Sequence, residues 1–562
     1  MKKNLLIALS FAVIALSGCG GGGSSDGVTP TESISPSSME GYSTIRTAIE
    51  IPSTTESSSS TTQTNTGEVL EVTSPYFIKK IENVGGTNLF TLNVEETKDI
   101  YLVVTSHFDN QLVSASENIA SGSITPVILK EIKEERDLGI LKKVIDFREK
   151  AYELLKESEE KSYRVTKIAR EVSQGDEEYF CVDIDMDDPN RCIDYRKATA
   201  QKVIISDTRY GEKTLVIWVE DSEYPSPIND ELINNLANIF LKEGGDKSDD
   251  IYDWETNVYG EEWGDTGKYN LIEPTDIIDI LVFDMGNELI AGYFWSKDNF
   301  TKEYLNSSNE KIMFYINSQL LAKDEKEAHT TLVHEFQHMI AFYQRAVLKD
   351  IMDETWFSEM LSESIEDLLA VNIEYDGPRN VSYTDGSAGE IGNSGGLSQR
   401  FVEFNKYNYV PLPTWGVFPG DYGKVSAFGA YLSRNFNGAE VLHNIFYSNK
   451  SGKDAILEAT KLSDFNDLLA RWATAVILSD KTDAPDGLRY NFGDFKEVEY
   501  NGITYKLGSI NFFNYVVPPT MLDEKVMYKD ANFYHEVGKG VSGRVDVKVE
   551  IGGGGDITII AK

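Results

Sequence analysis

Residues 331–343 read Thr331-Leu332-Val333-His334-Glu335-Phe336-Gln337-His338-Met339-Ile340-Ala341-Phe342-Tyr343, and the rest of the chain is best read outward from them. Leu332, Phe336, Met339 and Tyr343 recur at gaps of four, three and four, which predicts an amphipathic helix. On that helix both imidazoles, His334 and His338, leave one face a single turn apart and can hold one zinc ion, with Glu335 beside them. The chain has six histidines in all, so His-Glu-x-x-His is rarely met by chance. The competing reading is a structural helix whose histidines are satisfied locally.

A catalytic zinc takes three protein ligands and keeps a fourth position for water. Two histidines therefore call for a third ligand downstream, and Glu359 is the candidate. It lies in 356–367, WFSEMLSESIED, where Leu361, Ile365 and Leu368 predict a second helix with a buried side. Glu363, one turn further on, is placed to accept the free N–H of a ligand histidine and so fix its tautomer. For Glu363, Glu366 and Asp367 a solvated acidic face is the alternative. His107, His329, His443 and His535 show no ligand spacing and read as surface or core histidines.

The pairing of His334-Glu335-x-x-His338 with Glu359-x-x-Ser362-Glu363 resembles the gluzincin metallopeptidases, thermolysin among them, whose second motif is Glu-x-x-Ser-Asp. A closer resemblance is to the hyicolysin family of zinc metallopeptidases. It rests on HEFQHMI at 334–340 with FYQ at 342–344, VYGEEWG at 258–264, GYFWSKD at 292–298 and KIMFYI at 311–316, and covers roughly residues 200 to 480. The resemblance implies an α+β zincin (thermolysin-like) catalytic domain, one zinc on His334, His338 and Glu359, and Glu335 as general base. It further implies protein or peptide substrates. In gluzincins the substrate backbone pairs with an edge strand ahead of the active-site helix. Either Ala291 to Trp295, with Tyr293, Phe294 and Trp295 binding substrate, or Ile312 to Ile316 resembles that strand, and each reads equally well as core.

Asp421-Tyr422-Gly423-Lys424 resembles the Tyr-x-Lys-Gly helix start from which membrane alanyl aminopeptidases present a transition-state tyrosine, although here the glycine precedes the lysine. That likeness implies a catalytic hydroxyl on Tyr422. The Gly-x-Met-Glu-Asn segment that holds a substrate amine in those aminopeptidases has no counterpart in the sequence, which favours an endopeptidase. The competing class is a non-catalytic surface lipoprotein, an adhesin or binding module on a zincin scaffold. Glu335 argues against it, because a structural metal site needs no base.

Toward the N-terminus the sequence predicts an export apparatus. Met1-Lys2-Lys3-Asn4 is basic, and residues 5–16 are an apolar run too short to span a bilayer. Leu16-Ser17-Gly18-Cys19 resembles the bacterial lipobox, which makes 1–18 a lipoprotein signal peptide and Cys19 the lipidated residue. Residues 19–68, rich in Gly, Ser and Thr, read as a flexible tether. Gly20 after the cysteine resembles sorting to an outer surface of the cell envelope, with the membrane as a partner through the lipid.

Short β-type runs then predict an N-terminal β-rich module over 69–200, interrupted at about 130–172 by an amphipathic helical insertion in which Val144, Phe147, Ala151 and Leu154 repeat at gaps of three and four. The catalytic domain is placed at 201–490. Tyr- and Val-rich strands over 491–562 predict a C-terminal β-sandwich-like module. The expected architecture is thus multidomain, the catalytic domain flanked by two β-rich modules.

Composition narrows the partners. Lys and Arg number 53 against 91 Asp and Glu, and the net charge of −38 would repel a polyanion over most of the surface, which excludes nucleic acid. With Cys19 lipidated, Cys181 and Cys192 are left in an exported chain and are expected to form a disulfide. The acidic run from Asp183 to Asp194 between and beyond them has the length of a calcium loop. It lacks the turn glycine, Asp188 standing there, and an acidic loop closed by the disulfide is the preferred reading over bound Ca2+.

Overall fold

A computed structural model describes residues 66–73, 75–119, 139–157, 170–287, 290–375, 386–389, 391–392 and 400–562. Cys19, the signal peptide and the tether up to residue 65 lie outside them. Among the described residues no helix is long and apolar enough to cross a membrane.

The chain is a mixed α/β protein with two principal sheets. The first is built from β1 (Thr66–Val72), β2 (Phe77–Ser106) and β3 (Gln111–Ile119). Helix α1 (Gly139–Glu157) follows. The second sheet takes β4 (Glu177–Ile184), β5 (Cys192–Thr208), β6 (Gly211–Glu220), β7 (Ile277–Phe283), β8 (Gly292–Phe294) and β9 (Ile312–Asn317) in the order β4-β5-β6-β7-β9-β8. Strand β6 runs parallel to β7, and the crossover this requires is supplied by helices α2 (Asp230–Phe240) and α3 (Ile251–Tyr259). Every residue of β7 and β9 is buried, as in strands covered on both faces. β9 lies between β7 and the short antiparallel β8, so β8 is the edge. Of the two candidate segments, then, 292–294 has a free side and 312–317 is interior.

Helices α4 (Ser318–Lys323), α5 (Glu325–Ala341), α6 (Thr355–Leu369), α7 (Arg400–Tyr407) and α8 (Pro419–Asn435) follow. Asp324 caps α5 by accepting from the Glu327 N–H at 3.1 Å. Its buried side meets the sheet through Phe336, whose ring lies 5.0 Å from Phe240, itself 5.5 Å from Phe314 of β9. After a π-helical turn at Phe342–Val347, the buried Arg345 holds the return loop by a 2.7 Å bond to Asp353. Helices α9 (Ala439–Tyr447), α10 (Gly452–Thr460) and α11 (Phe465–Ile477) complete the helical half, followed by a hairpin of β10 (Lys496–Tyr500) and β11 (Ile503–Leu507).

The flanking strands depart from the sequence expectation. β12 (Glu524–Met527) and β13 (Asn532–Ala561) belong to the first sheet, whose order is β1-β2-β13-β3-β12. Within it Ile557 stands opposite both Ile81 and Val104, and Ile560 opposite both Ile78 and Tyr101, so the end of β13 is flanked by two stretches of β2. The N- and C-terminal strand runs therefore share one sheet and one apolar core instead of forming separate modules. Residues 177–184 and 192–200, expected in the N-terminal module, form β4 and the first half of β5 in the second sheet. Period-two alternation marks a strand and is silent on its partner, which is why this was hidden.

Helix α1 falls inside the expected insertion, with Val144, Phe147 and Ala151 buried and Leu155, rather than Leu154, completing the stripe. Cys181 and Cys192 are joined by a disulfide, their Cα atoms 5.8 Å apart. Three of the carboxylates considered for calcium meet a cation of the chain. Lys143 lies 2.7 Å from Asp183, Arg196 lies 2.9 Å from Asp194, and Arg191 pairs with Asp185.

Candidate metal centre

Helix α5 presents His334 and His338 toward α6, and their Nε2 atoms face each other at 3.2 Å. Glu359 completes a triangle: its Oε2 is 3.2 Å from His334 Nε2 and its Oε1 is 3.6 Å from His338 Nε2. All three residues are at least nine-tenths buried.

The outer partners determine which nitrogen of each ring carries hydrogen. His334 Nδ1 lies 2.6 Å from Glu366 Oε1, an acceptor, so Nδ1 donates and the Nε2 lone pair points inward. The hydroxyls of Ser358 and Ser362 lie 3.2 and 3.3 Å from His338 Nδ1, and Ser362, which gives its hydrogen to Gln337 Oε1 at 2.6 Å, offers that nitrogen a lone pair to which Nδ1–H can donate. His338 then also turns an Nε2 lone pair inward. Two facing lone pairs and a carboxylate repel one another unless a cation sits among them. Tetrahedral zinc with bonds of about 2.0–2.1 Å separates its ligands by roughly 3.3 Å, close to the observed spacing. The donor set thus fits a metal ion held by His334, His338 and Glu359. Burial opposes charge on Glu359, but His338, His334 and Arg148 outweigh it and hold the carboxyl well below the usual carboxylate range.

Glu335 stands beside this triangle and is tied elsewhere. Its Oε2 accepts the backbone N–H of Phe294, on the edge strand β8, at 2.7 Å. Burial pushes its pKa up to about 7, which suits a group that must take and return a proton near neutrality.

One sequence expectation, the role of Glu363, and one alternative, the solvated acidic face, need correction. The tautomer-fixing partner of His334 is Glu366, which also receives the Thr330 hydroxyl at 2.7 Å; Glu363 instead pairs with Arg400 at 2.9 Å. Nor is the acidic face of α6 solvated. Glu363, Glu366 and Asp367 are all buried, Asp367 against an equally buried Arg434 of α8, with Arg434 Nη2 3.2 Å from its Oδ1.

Of the three residues proposed to bind substrate at 293–295, the side chains of Tyr293 and Trp295 are core. Tyr293 stacks on Tyr315 with ring centroids 4.5 Å apart, and Trp295 is fully buried. Strand alternation sends Phe294 the other way, into a solvent-open cleft shared with His338, Ser358, Phe342 and Met352.

Tyr422 is brought to the centre by close helix packing. A Cβ on Gly423 would lie 2.6 Å from the Arg400 carbonyl oxygen, and one on Gly429 would strike the Ser364 hydroxyl, so glycine at both positions lets α8 approach α7 and α6. The Tyr422 ring lies under the Arg400 guanidinium at 4.7 Å. Burial, and then the charge of Glu359, holds its hydroxyl protonated far above neutrality. Arg148 and Glu366 were missed by sequence reasoning. Arg148 sits in an ordinary Lys/Glu-rich helix, whereas Glu366 had a signal, seven residues beyond Glu359 on the same helical face.

An acid that flanks a triangle of two imidazoles and a carboxylate without joining it is the arrangement of metal-dependent hydrolases. The chain belongs to the peptidase M30 family, the hyicolysin family of zinc metallopeptidases, whose family model matches residues 195–491. The match takes in most of β5, the whole of α5, α6 and α8, and all five residues His334, Glu335, His338, Glu359 and Tyr422. Peptidase membership implies protein or peptide substrates. No curated protein matches the chain.

Proposed function

We propose that the protein is a zinc-dependent endopeptidase of zincin type, with zinc on His334, His338 and Glu359 and Glu335 as general base. The observation that carries the reading is the triangle of inward lone pairs with a buried acid beside it that it does not use. Two imidazoles and one carboxylate suit zinc better than the all-oxygen sets of calcium or magnesium. When bound, zinc polarises the scissile carbonyl and acidifies the attacking water.

The chain's own residues supply the rest. Glu335, aimed by the Phe294 N–H, takes the proton from the water and delivers it to the leaving amine. Glu366 and Ser362 keep the two imidazoles oriented. Tyr422, protonated at working pH, donates to the oxygen on which negative charge develops. Phe294 lends one apolar wall to the cavity that receives substrate.

The purified mature chain should carry one zinc and cleave casein, with cleavage abolished by o-phenanthroline and restored by added zinc. Casein cleavage indifferent to the chelator, or a chain that takes up no zinc, would sink this reading. Tyr422→Phe tests the hydroxyl on its own: turnover should drop roughly ten- to a thousandfold with zinc retained. Undiminished turnover would return Tyr422 to packing.

A further inference from the structure

We infer that Arg148, on α1 and outside the region matched by the family, donates a hydrogen bond to a backbone carbonyl of the bound peptide and so positions it beside the metal centre. The inference rests on the peptidase reading above.

Helix α1 is fixed beside β8 by three segments of the peptidase region and by β4. Phe147 packs edge-on to Trp295 with centroids 6.1 Å apart. Tyr152 donates its hydroxyl to the Asp350 carbonyl at 2.8 Å, and Lys143 reaches Asp183. At the C-terminal end, where helix carbonyls lack intrahelical partners, Lys268 Nζ bonds the Leu155 oxygen at 2.9 Å and Asn270 Nδ2 bonds the Leu154 oxygen at 2.6 Å. With both ends and the middle held, the position of residue 148 is set by the peptidase region and β4.

From there Arg148 Nη2 donates to Glu359 Oε1 at 3.0 Å. The guanidinium is planar, so that one bond also fixes where Nη1 points. Nη1 is buried and has no hydrogen-bond partner among the described residues. A buried donor without an acceptor is costly and rare in a finished structure. Arg148 itself, its side chain only partly buried, lines the cavity that also holds Phe294, His338 and Ser358. A peptide entering that cavity brings a carbonyl at every residue, an acceptor of the size and polarity Nη1 lacks. Arg148 thereby joins the metal-binding carboxylate to the substrate backbone: one nitrogen steadies Glu359 while the other holds the chain to be cut.

The test uses the full mature chain with an internally quenched peptide as substrate. Arg148→Met keeps the aliphatic stem and removes the donors. It should lower kcat/KM roughly ten- to a hundredfold, mostly through KM, with one zinc per chain and an unchanged melting temperature. Arg148→Lys keeps the charge beside Glu359 without the planar fork, and should retain zinc while failing to recover KM. Millimolar guanidinium ion should partly restore Arg148→Ala. Variants as active as the parent, or more active because α1 had obstructed the cleft, would overturn the inference while leaving the peptidase reading intact. So would loss of zinc in step with loss of activity, which would place Arg148 behind Glu359 alone. A parent that binds no zinc and cleaves nothing would remove both.

Discussion

Glu335→Gln should leave one zinc per chain in place and depress peptide hydrolysis by roughly a hundred- to ten-thousandfold. Glutamine keeps the size of the side chain, and its amide oxygen can still accept the Phe294 N–H now donated to Glu335 Oε2 at 2.7 Å. Helix α5 and strand β8 therefore stay in register while the proton acceptor is lost. Zinc analysis, thermal melting and casein or peptide turnover on one preparation separate the two effects. If the variant cleaves as fast as its parent, water activation does not pass through Glu335 and the proposed mechanism falls.

The second large effect belongs to metal binding and is graded by position. Glu359→Ala removes a ligand and should abolish zinc retention through gel filtration. Glu366→Ala removes only the acceptor for His334 Nδ1–H and should weaken zinc by about 10- to 100-fold, the usual cost of an outer partner. Glu363→Ala, which unpairs Arg400 instead, should leave zinc affinity nearer the parent's than Glu366→Ala does. Competitive titration against a chromogenic chelator measures all three. Equal losses for Glu363→Ala and Glu366→Ala would mean that hydrogen bonding to His334 is not what distinguishes them.

That contrast also marks how far the site could be read from sequence. His334 and His338 were legible because a four-residue gap is a helical turn, and Glu359 because it lies on a second amphipathic helix one loop later. Between Glu363 and Glu366 the helix offers no choice: four and seven residues from Glu359 correspond to about 40° and about 20° from its direction, so both share its face. The decision comes from Arg400, 37 residues beyond Glu363, which claims Glu363 and leaves Glu366 for the histidine. Arg148 lies 211 residues from Glu359, and nothing local in its lysine- and glutamate-rich helix announces where its guanidinium ends. The edge strand was half legible. The segment was located, but only the antiparallel pairing of β8 to β9 shows that 292–294 has a free side and that Tyr293 and Trp295 turn into the core.

The sheet shared by β2 and β13 bears on how the protein is made. Residues 77–106 emerge first and residues 532–561 last, with the whole peptidase region between them. Until the later segment arrives, the stretches at 77–81 and 100–106 lack the strand that later lies between them, and their backbone amides and carbonyls are open to any passing strand. The long interval before closure is the period of greatest exposure to aggregation during synthesis, when holding factors matter most. Cleavage that removed β13 from the finished protein would do more than trim an end. It would take the central strand out of the first sheet and leave Leu92, Val94, Leu102 and Val104 facing water from a sheet with its middle missing.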